Sequence, residues 1–148
     1  MNLVEQINTA LKTQVTTVLG PTYKELQYIF DVGKNSERGL TSAYGVRPLS
    51  ASNAVGVTRY YTLDQSFEVI LTGIAARTVN DTDKFNLIFT LYDKVDQILN
   101  QCFLTKLGLP NIVLLVDSPS INEIEFFDEN QFIVLRFSLN VKYRRLIA

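Results

Sequence analysis

From about residue 131 to 145 the chain alternates almost without a break, with Ile133, Leu135, Phe137, Leu139, Val141 and Tyr143 all on one parity. Successive side chains of a strand point to opposite faces, so this spacing predicts a long strand with one continuous apolar face. Such a face needs a covering layer, and two other segments are built to supply one.

Residues 3–19 carry Leu3, Ile7, Ala10, Leu11, Val15, Val18 and Leu19 at three- and four-residue spacing, the stripe of an amphipathic helix. Asn2 and Glu5 stand three apart as a capping box requires, and Gly20-Pro21 stops the helix. A second helix is predicted over 82–106, opened by Asn80, Asp81, Thr82 and Asp83 and ended by Gly108 and Pro110. Its bulkiest stripe, Phe85, Phe89, Tyr92, Val95, Leu99 and Phe103, is the expected contact with the sheet.

The remaining elements read as β. Residues 23–32 alternate through Leu26, Tyr28, Phe30 and Val32, and residues 58–75 through Tyr61, Leu63, Phe67, Val69 and Leu71, with a bend expected at Asp64 to Ser66. Ile112 to Val116 suits a short buried strand, and Ser118-Pro119-Ser120 reads as a turn. Residues 121–136 should form a hairpin around Asp128-Glu129-Asn130. Pairing Phe126 with Ile133 and Ile124 with Leu135 gathers four apolar side chains on one face and sets Glu123 opposite Arg136 on the other. The order α, β, loop, β, α, β, β, β predicts an α+β fold in a single domain over 1–148. It would hold a mostly antiparallel sheet, two amphipathic helices packed on one face, and a long inserted loop.

That loop, about 33–57, is punctuated by Gly33, Gly39, Gly45, Pro48 and Gly56 and is rich in Ser, Thr and Ala. Connections in small domains are usually about 4–6 residues long, so a loop of this length is expected to work as an assembly element. Lys34, Arg38 and Arg47 against Glu37 make it basic, while Tyr44, Val46, Leu49 and Val55 give it more apolar material than a linker needs.

Composition removes several function classes. In 148 residues there is no histidine and one cysteine, so His-based triads, His metal sites and an intramolecular disulfide are all excluded. A formal net charge of −1 argues against a dedicated nucleic-acid binder. No apolar stretch is longer than Ile112 to Val116, and residues 1–20 carry Glu5 and Lys12, so neither a membrane span nor a targeting signal is expected and the chain reads as intracellular.

Candidate chemistry has plainer explanations. Glu123 and Glu125 share a strand face and could in principle do acid–base work, but alternate charges on a solvated sheet face need no such role. Asp81 and Asp83 suit the positive end of a helix dipole. Gly33-Lys34-Asn35-Ser36-Glu37-Arg38-Gly39 lacks the order of a phosphate loop. Cys102 lies on the apolar side of its helix with no histidine to activate it. Tyr60 and Tyr61, as strand neighbours, point to opposite faces and make no joint stacking platform. No cofactor and no enzymatic activity are expected. The basic end Lys142, Arg144 and Arg145 contrasts with Asp117 to Glu129, which holds five acids and no base, a pattern suited to contact between identical subunits.

The element order resembles that of the tail terminator proteins of tailed bacteriophages. Val46-Arg47-Pro48-Leu49-Ser50 through Thr62-Leu63-Asp64-Gln65-Ser66-Phe67-Glu68-Val69-Ile70-Leu71-Thr72 looks like the passage from loop to central strand in that family. The helix start Asp81-Thr82-Asp83-Lys84 and the interior Leu91-Tyr92-Asp93 to Ile98-Leu99 look similar as well. The resemblance implies a homo-oligomeric ring, usually a hexamer, that caps the tail tube in the virion. It implies as partners the tail tube protein, a head-side connector or stopper protein and, in a contractile tail, the sheath protein. It implies neither membrane nor sequence-specific nucleic acid, and it carries over no catalytic residue. The residues expected at assembly contacts are Lys34, Arg38, Tyr44, Arg47, Leu49, Glu123, Glu125, Lys142, Arg144 and Arg145. Two alternatives are another neck or tail-tube ring protein and a small monomeric ligand-binding α+β domain with the loop as a lid.

Overall fold

The computed structural model describes residues 2–25, 42–57, 60–74, 81–127 and 132–146. Helix α1 spans Leu3–Leu19 and opens with the expected capping box. The Glu5 N–H donates to Asn2 Oδ1 at 2.8 Å and the Asn2 N–H donates to Glu5 Oε2 at 3.2 Å, so two otherwise orphaned donors are satisfied reciprocally. At its other end Gly20 takes φ 77°, a conformation open to glycine, and its N–H closes on Thr16 O.

Among the described residues five strands form one sheet in the order β1-β2-β3-β5-β4. They are β1 (Lys24–Glu25), β2 (Ala43–Val57), β3 (Tyr60–Ile74), β4 (Val113–Phe127) and β5 (Phe132–Leu146). Every pairing is antiparallel except the short β1–β2 contact, which is parallel. Helix α2 (Asp81–Thr105) connects β3 to β4, so the fold is α+β with a mostly antiparallel sheet.

The hairpin register agrees with the sequence reading: Phe126 faces Ile133, Ile124 faces Leu135 and Glu123 faces Arg136. Other expectations need correction. Residues 43–57 are not loop but β2, a fifteen-residue strand with Ala43, Tyr44 and Val46 buried. The remainder of that segment, 33–41, and most of the expected strand over 23–32 lie outside the described residues. Ser118-Pro119-Ser120 makes no turn, because β4 continues through it with a register shift between Asp117 and Ser120. The bend expected at Asp64 to Ser66 falls instead on the facing strand, where β2 inserts an extra residue between Pro48 and Ala51.

Irregularity is confined to the outer strands. β4 shifts register at three places and β2 at two, whereas β3 and β5 pair without interruption from Tyr60↔Leu146 to Ile74↔Phe132. The central pair is therefore a straight ladder, and the curvature is carried by bulges on its flanks.

One core cluster joins both helices to the sheet. It holds Ile7, Leu11, Val15 and Leu19 of α1, Leu91, Val95, Ile98 and Cys102 of α2, and one parity of the strands, including Phe67, Val69, Leu71, Ile133, Leu135, Phe137, Leu139 and Val141. The buried side of α2 shares Val95 and the partly buried Leu99 with the expected stripe but leaves out its phenylalanines: Phe85 is 57% exposed and Phe89 60% exposed, their rings stacked with centroids 6.5 Å apart. Smaller side chains face the sheet because the approach is close. A Cβ on Gly73 would stand 3.0 Å from Leu87 Cδ1, so glycine in β3 lets the helix settle.

After α2 the chain reverses through Lys106 and Leu107 at φ 49° and 57°, followed by Gly108 at φ 70°. Left-handed backbone costs a non-glycine residue roughly 1–2 kcal/mol. The turn inserts Leu107, 2% exposed, into the core, and that burial offsets the strain.

Candidate assembly surface

The side of the sheet opposite the core cluster carries a row of charges crossing four strands. Glu68 of β3 stands opposite Arg47 of β2, and Arg136 of β5 stands opposite Glu123 of β4. Glu68 Oε1 accepts from Arg47 Nε at 3.0 Å, with Arg47 Nη2 at 2.7 Å and Arg136 Nη1 at 3.4 Å. Arg136 Nε lies 3.2 Å from Glu123 Oε2. The signs alternate along β4–β5–β3–β2, so each inner charge lies between opposite ones. Glu68 is the most enclosed of the four, and the two guanidiniums compensate its carboxylate for the water it has lost.

A second bridge runs beside the row. Asn140 Nδ2 donates to Asp64 Oδ1 at 3.0 Å and to Asp117 Oδ1 at 3.2 Å, joining the strands on either side of β5 through one amide. Sequence reasoning placed Glu123 against Arg136 but missed Glu68, Asp64 and Asn140. The signal was present: Glu68 interrupts the run from Phe67 to Leu71, and a charge inside an apolar strand asks for a partner across the sheet.

The expected contact residues fall into distinct settings. Lys34 and Arg38 lie outside the described residues. Tyr44 is 6% exposed and belongs to the core, so it is not a contact residue of this chain's surface. Its hydroxyl is held above the usual tyrosine range by burial first and by the Glu25 carboxylate second. Arg47 belongs to the charge row, and Leu49, exposed at the bulge of β2, accepts through its carbonyl from Gln65 Nε2 at 3.0 Å. Glu123 and Glu125 are exposed on β4.

Lys142 stands opposite Asp64 on β3 and Leu115 on β4, whereas Arg144, opposite Thr62, and Arg145, opposite Tyr61, lie past Tyr143, where the β4 pairing ends. The basic end is therefore woven into the sheet, and the Arg144 N–H donates to Ile112 O at 2.8 Å. Arg145 overlooks a cleft of about 600 Å³ with Asn2, Leu3, Glu5, Pro48 and Tyr143. A second cleft of about 450 Å³ follows β4 from Leu114 to Pro119, walled by Phe103 and Lys106 of the α2 end.

Beyond Ala43 and Tyr44, which pair with β1, no described strand pairs with the outer edge of β2, and none pairs with the outer edge of β4. Residues 47–51 and 119–125 are exposed throughout, with Leu49, Ile121 and Ile124 presenting large apolar side chains there, and Leu115 is exposed earlier on β4. Among the described residues no helix is long and apolar enough to cross a membrane, and no group of three or more Cys, Asp or Glu is placed to hold a metal ion. No protein-family model matches the chain, and no curated protein matches it.

Proposed function

We propose that this chain is a structural ring protein of a phage virion, a tail terminator that caps the tail tube at its head-proximal end and docks it to the head-side connector. The observation that carries the reading is the pair of strands β2 and β4: among the described residues nothing pairs with the outer edge of β2 beyond Tyr44 or with the outer edge of β4, and Leu49, Ile121 and Ile124 are exposed along them. Open edges invite pairing, and assemblies are a common way to cover them. In this reading both amphipathic helices cover one face of the sheet, leaving the charge row to face a neighbouring ring or the lumen. Glu123, held by Arg136 on open surface, suits a contact between subunits better than proton exchange. The resemblance in element order supports the station at the tail end, with tube, connector and, in a contractile tail, sheath as partners.

Two measurements test it. Light scattering on the purified chain should report a closed oligomer, expected to be a hexamer, and phage lacking the chain should accumulate filled heads beside unjoined tails. Adding the protein should restore joined particles. Normal particle yields without it would overturn the proposal. A monomer that binds a small molecule at the cleft of Asn2, Pro48 and Arg145 would favour the ligand-binding alternative.

A further inference from the structure

We infer that the exposed side of α2 is a contact between two copies of this chain, which pack these helices antiparallel about a twofold axis. The inference does not rest on the ring reading, since a closed hexamer can hold a twofold contact as three pairs. Among the described residues, seven of the eight large apolar side chains left exposed belong to α2 and β4. They share one side of the chain. α2 starts close to Gly73, which is level with Phe126 across Ile133, and ends at the cleft of Phe103 and Leu115, so it runs along β4 in the opposite direction. Ile121 and Ile124 stand opposite Phe137 and Leu135 of the core cluster, on the face that α2 covers, yet both stay exposed beside it. At roughly 200 Å² for a fully exposed side chain of this size, the exposed fractions leave about 700 Å² of such surface. That is more than a monomer usually shows and close to one partner's share of a stable dimer interface.

The spacing on α2 points to a second copy as the occupant. Phe85, Phe89, Tyr92, Asp96, Leu99 and Phe103 follow one another at steps of four, three, four, three and four residues, the seam of a coiled-coil helix. This series reads the same in both directions about Lys94. An antiparallel copy therefore sets Phe85 against Phe103, Phe89 against Leu99 and Tyr92 against Asp96, and each layer recurs on the other side of the axis. The two central layers bring a hydroxyl donor to each carboxylate, and neither side chain has an ion pair or hydrogen bond among the described residues. A parallel pair would instead face Asp96 with Asp96. One polar layer inside an apolar seam also fixes register and orientation.

Phe85→Cys and Phe103→Cys, treated with a short bis-maleimide linker, test the pairing; Cys102 is buried and stays silent in the unaltered chain. A mixture of the two single variants should give covalent dimers. Neither variant alone should give any, because identical positions stand about 27 Å apart in the antiparallel pair. The doubly substituted chain should also stop at dimers. Phe89→Glu should weaken the pair roughly a hundredfold in sedimentation, while urea unfolding of the dilute, dissociated chain stays unchanged. A ladder beyond dimers from the double variant would overturn the inference in favour of a head-to-tail contact. Dimers from Phe85→Cys alone would overturn it in favour of a parallel pair, and an undiminished dimer in Phe89→Glu would overturn it too. So would a mixture that gives no cross-link, whether the chain is monomeric or ringed, and the particle-joining assay decides the functional reading separately.

Discussion

Arg136 reaches Glu68 diagonally across the sheet, Nη1 to Oε1 at 3.4 Å, although the residue directly opposite Glu68 on β5 is Ser138. The offset lets one guanidinium serve two carboxylates, because its Nε is then free to turn toward Glu123 at 3.2 Å. A register slip on either side of β5 would break one contact or the other, so the pair fixes how β3, β5 and β4 align.

Glu68→Ala should therefore cost about 3 kcal/mol in urea unfolding, since it removes the buried member between two arginines. Glu68→Gln, which keeps the shape and one acceptor, should cost less. Equal losses would show that packing rather than charge holds the row.

The two sides of α2 should respond differently. Leu91→Ala and Ile98→Ala, both at fully buried positions, should each cost about 2–5 kcal/mol by opening a cavity. Phe89→Ala, on the exposed side, should change stability by roughly 0.5 kcal/mol or less. Chemical denaturation of the three variants checks the orientation of the helix.

Lys106→Gly should stabilise the chain by about 1 kcal/mol, because glycine adopts φ 49° without the clash that lysine bears. Leu107→Gly should do the opposite despite the same relief, since it removes a buried side chain. The sign of the two changes in melting temperature separates strain from packing.

Burial pushes the Cys102 thiol up from its ordinary 9.0 to about 12. The folded chain thus retains a proton that the unfolded chain releases above pH 9, so the stabilisation is complete below that pH and is lost as the pH rises toward 12. The loss should approach about 1.4 kcal/mol for each pH unit inside that window. Tyr23, Tyr44 and Tyr143, raised chiefly by burial, add slopes of the same sign. Comparing alkaline unfolding of the native chain with Cys102→Ala isolates the thiol, and identical slopes would refute its share. At neutral pH Cys102 should react with thiol reagents only as fast as the chain opens.

Local rules made α1, α2 and the β4–β5 hairpin legible. The capping box of Asn2 and Glu5, the terminator Gly108 and the alternation from Ile133 to Tyr143 each act within a few residues. β2 was illegible for two reasons. Its sequence, with Gly45, Pro48, Ser50, Ser52 and Gly56, has weak strand preference, and its bulges break the parity that would have revealed it. It is a strand because β3 offers it a straight ladder. The orientation of α2 was misjudged because apolar residues cover more than half its circumference. Only the close approach at Gly73, a property of the assembled fold, selects Leu91, Val95 and Ile98 over the phenylalanines. The charge row was half visible, since Glu123 and Arg136 belong to one hairpin while Glu68 enters from a distant strand.

The position of β5 between β3 and β4 bears on how the chain leaves the ribosome. Of the five described strands, the one synthesised after the rest lies inside the sheet, between β3 and β4. Throughout translation the β2–β3 hairpin must wait with the inner edge of β3 unpaired from Tyr60 to Ile74, and the apolar faces of α1 and α2 have only part of their floor. The nascent chain is thus most exposed to mispairing just before β5 emerges. Folding becomes a late event whose rate is set by bringing β5 back across α2 and β4 to meet β3.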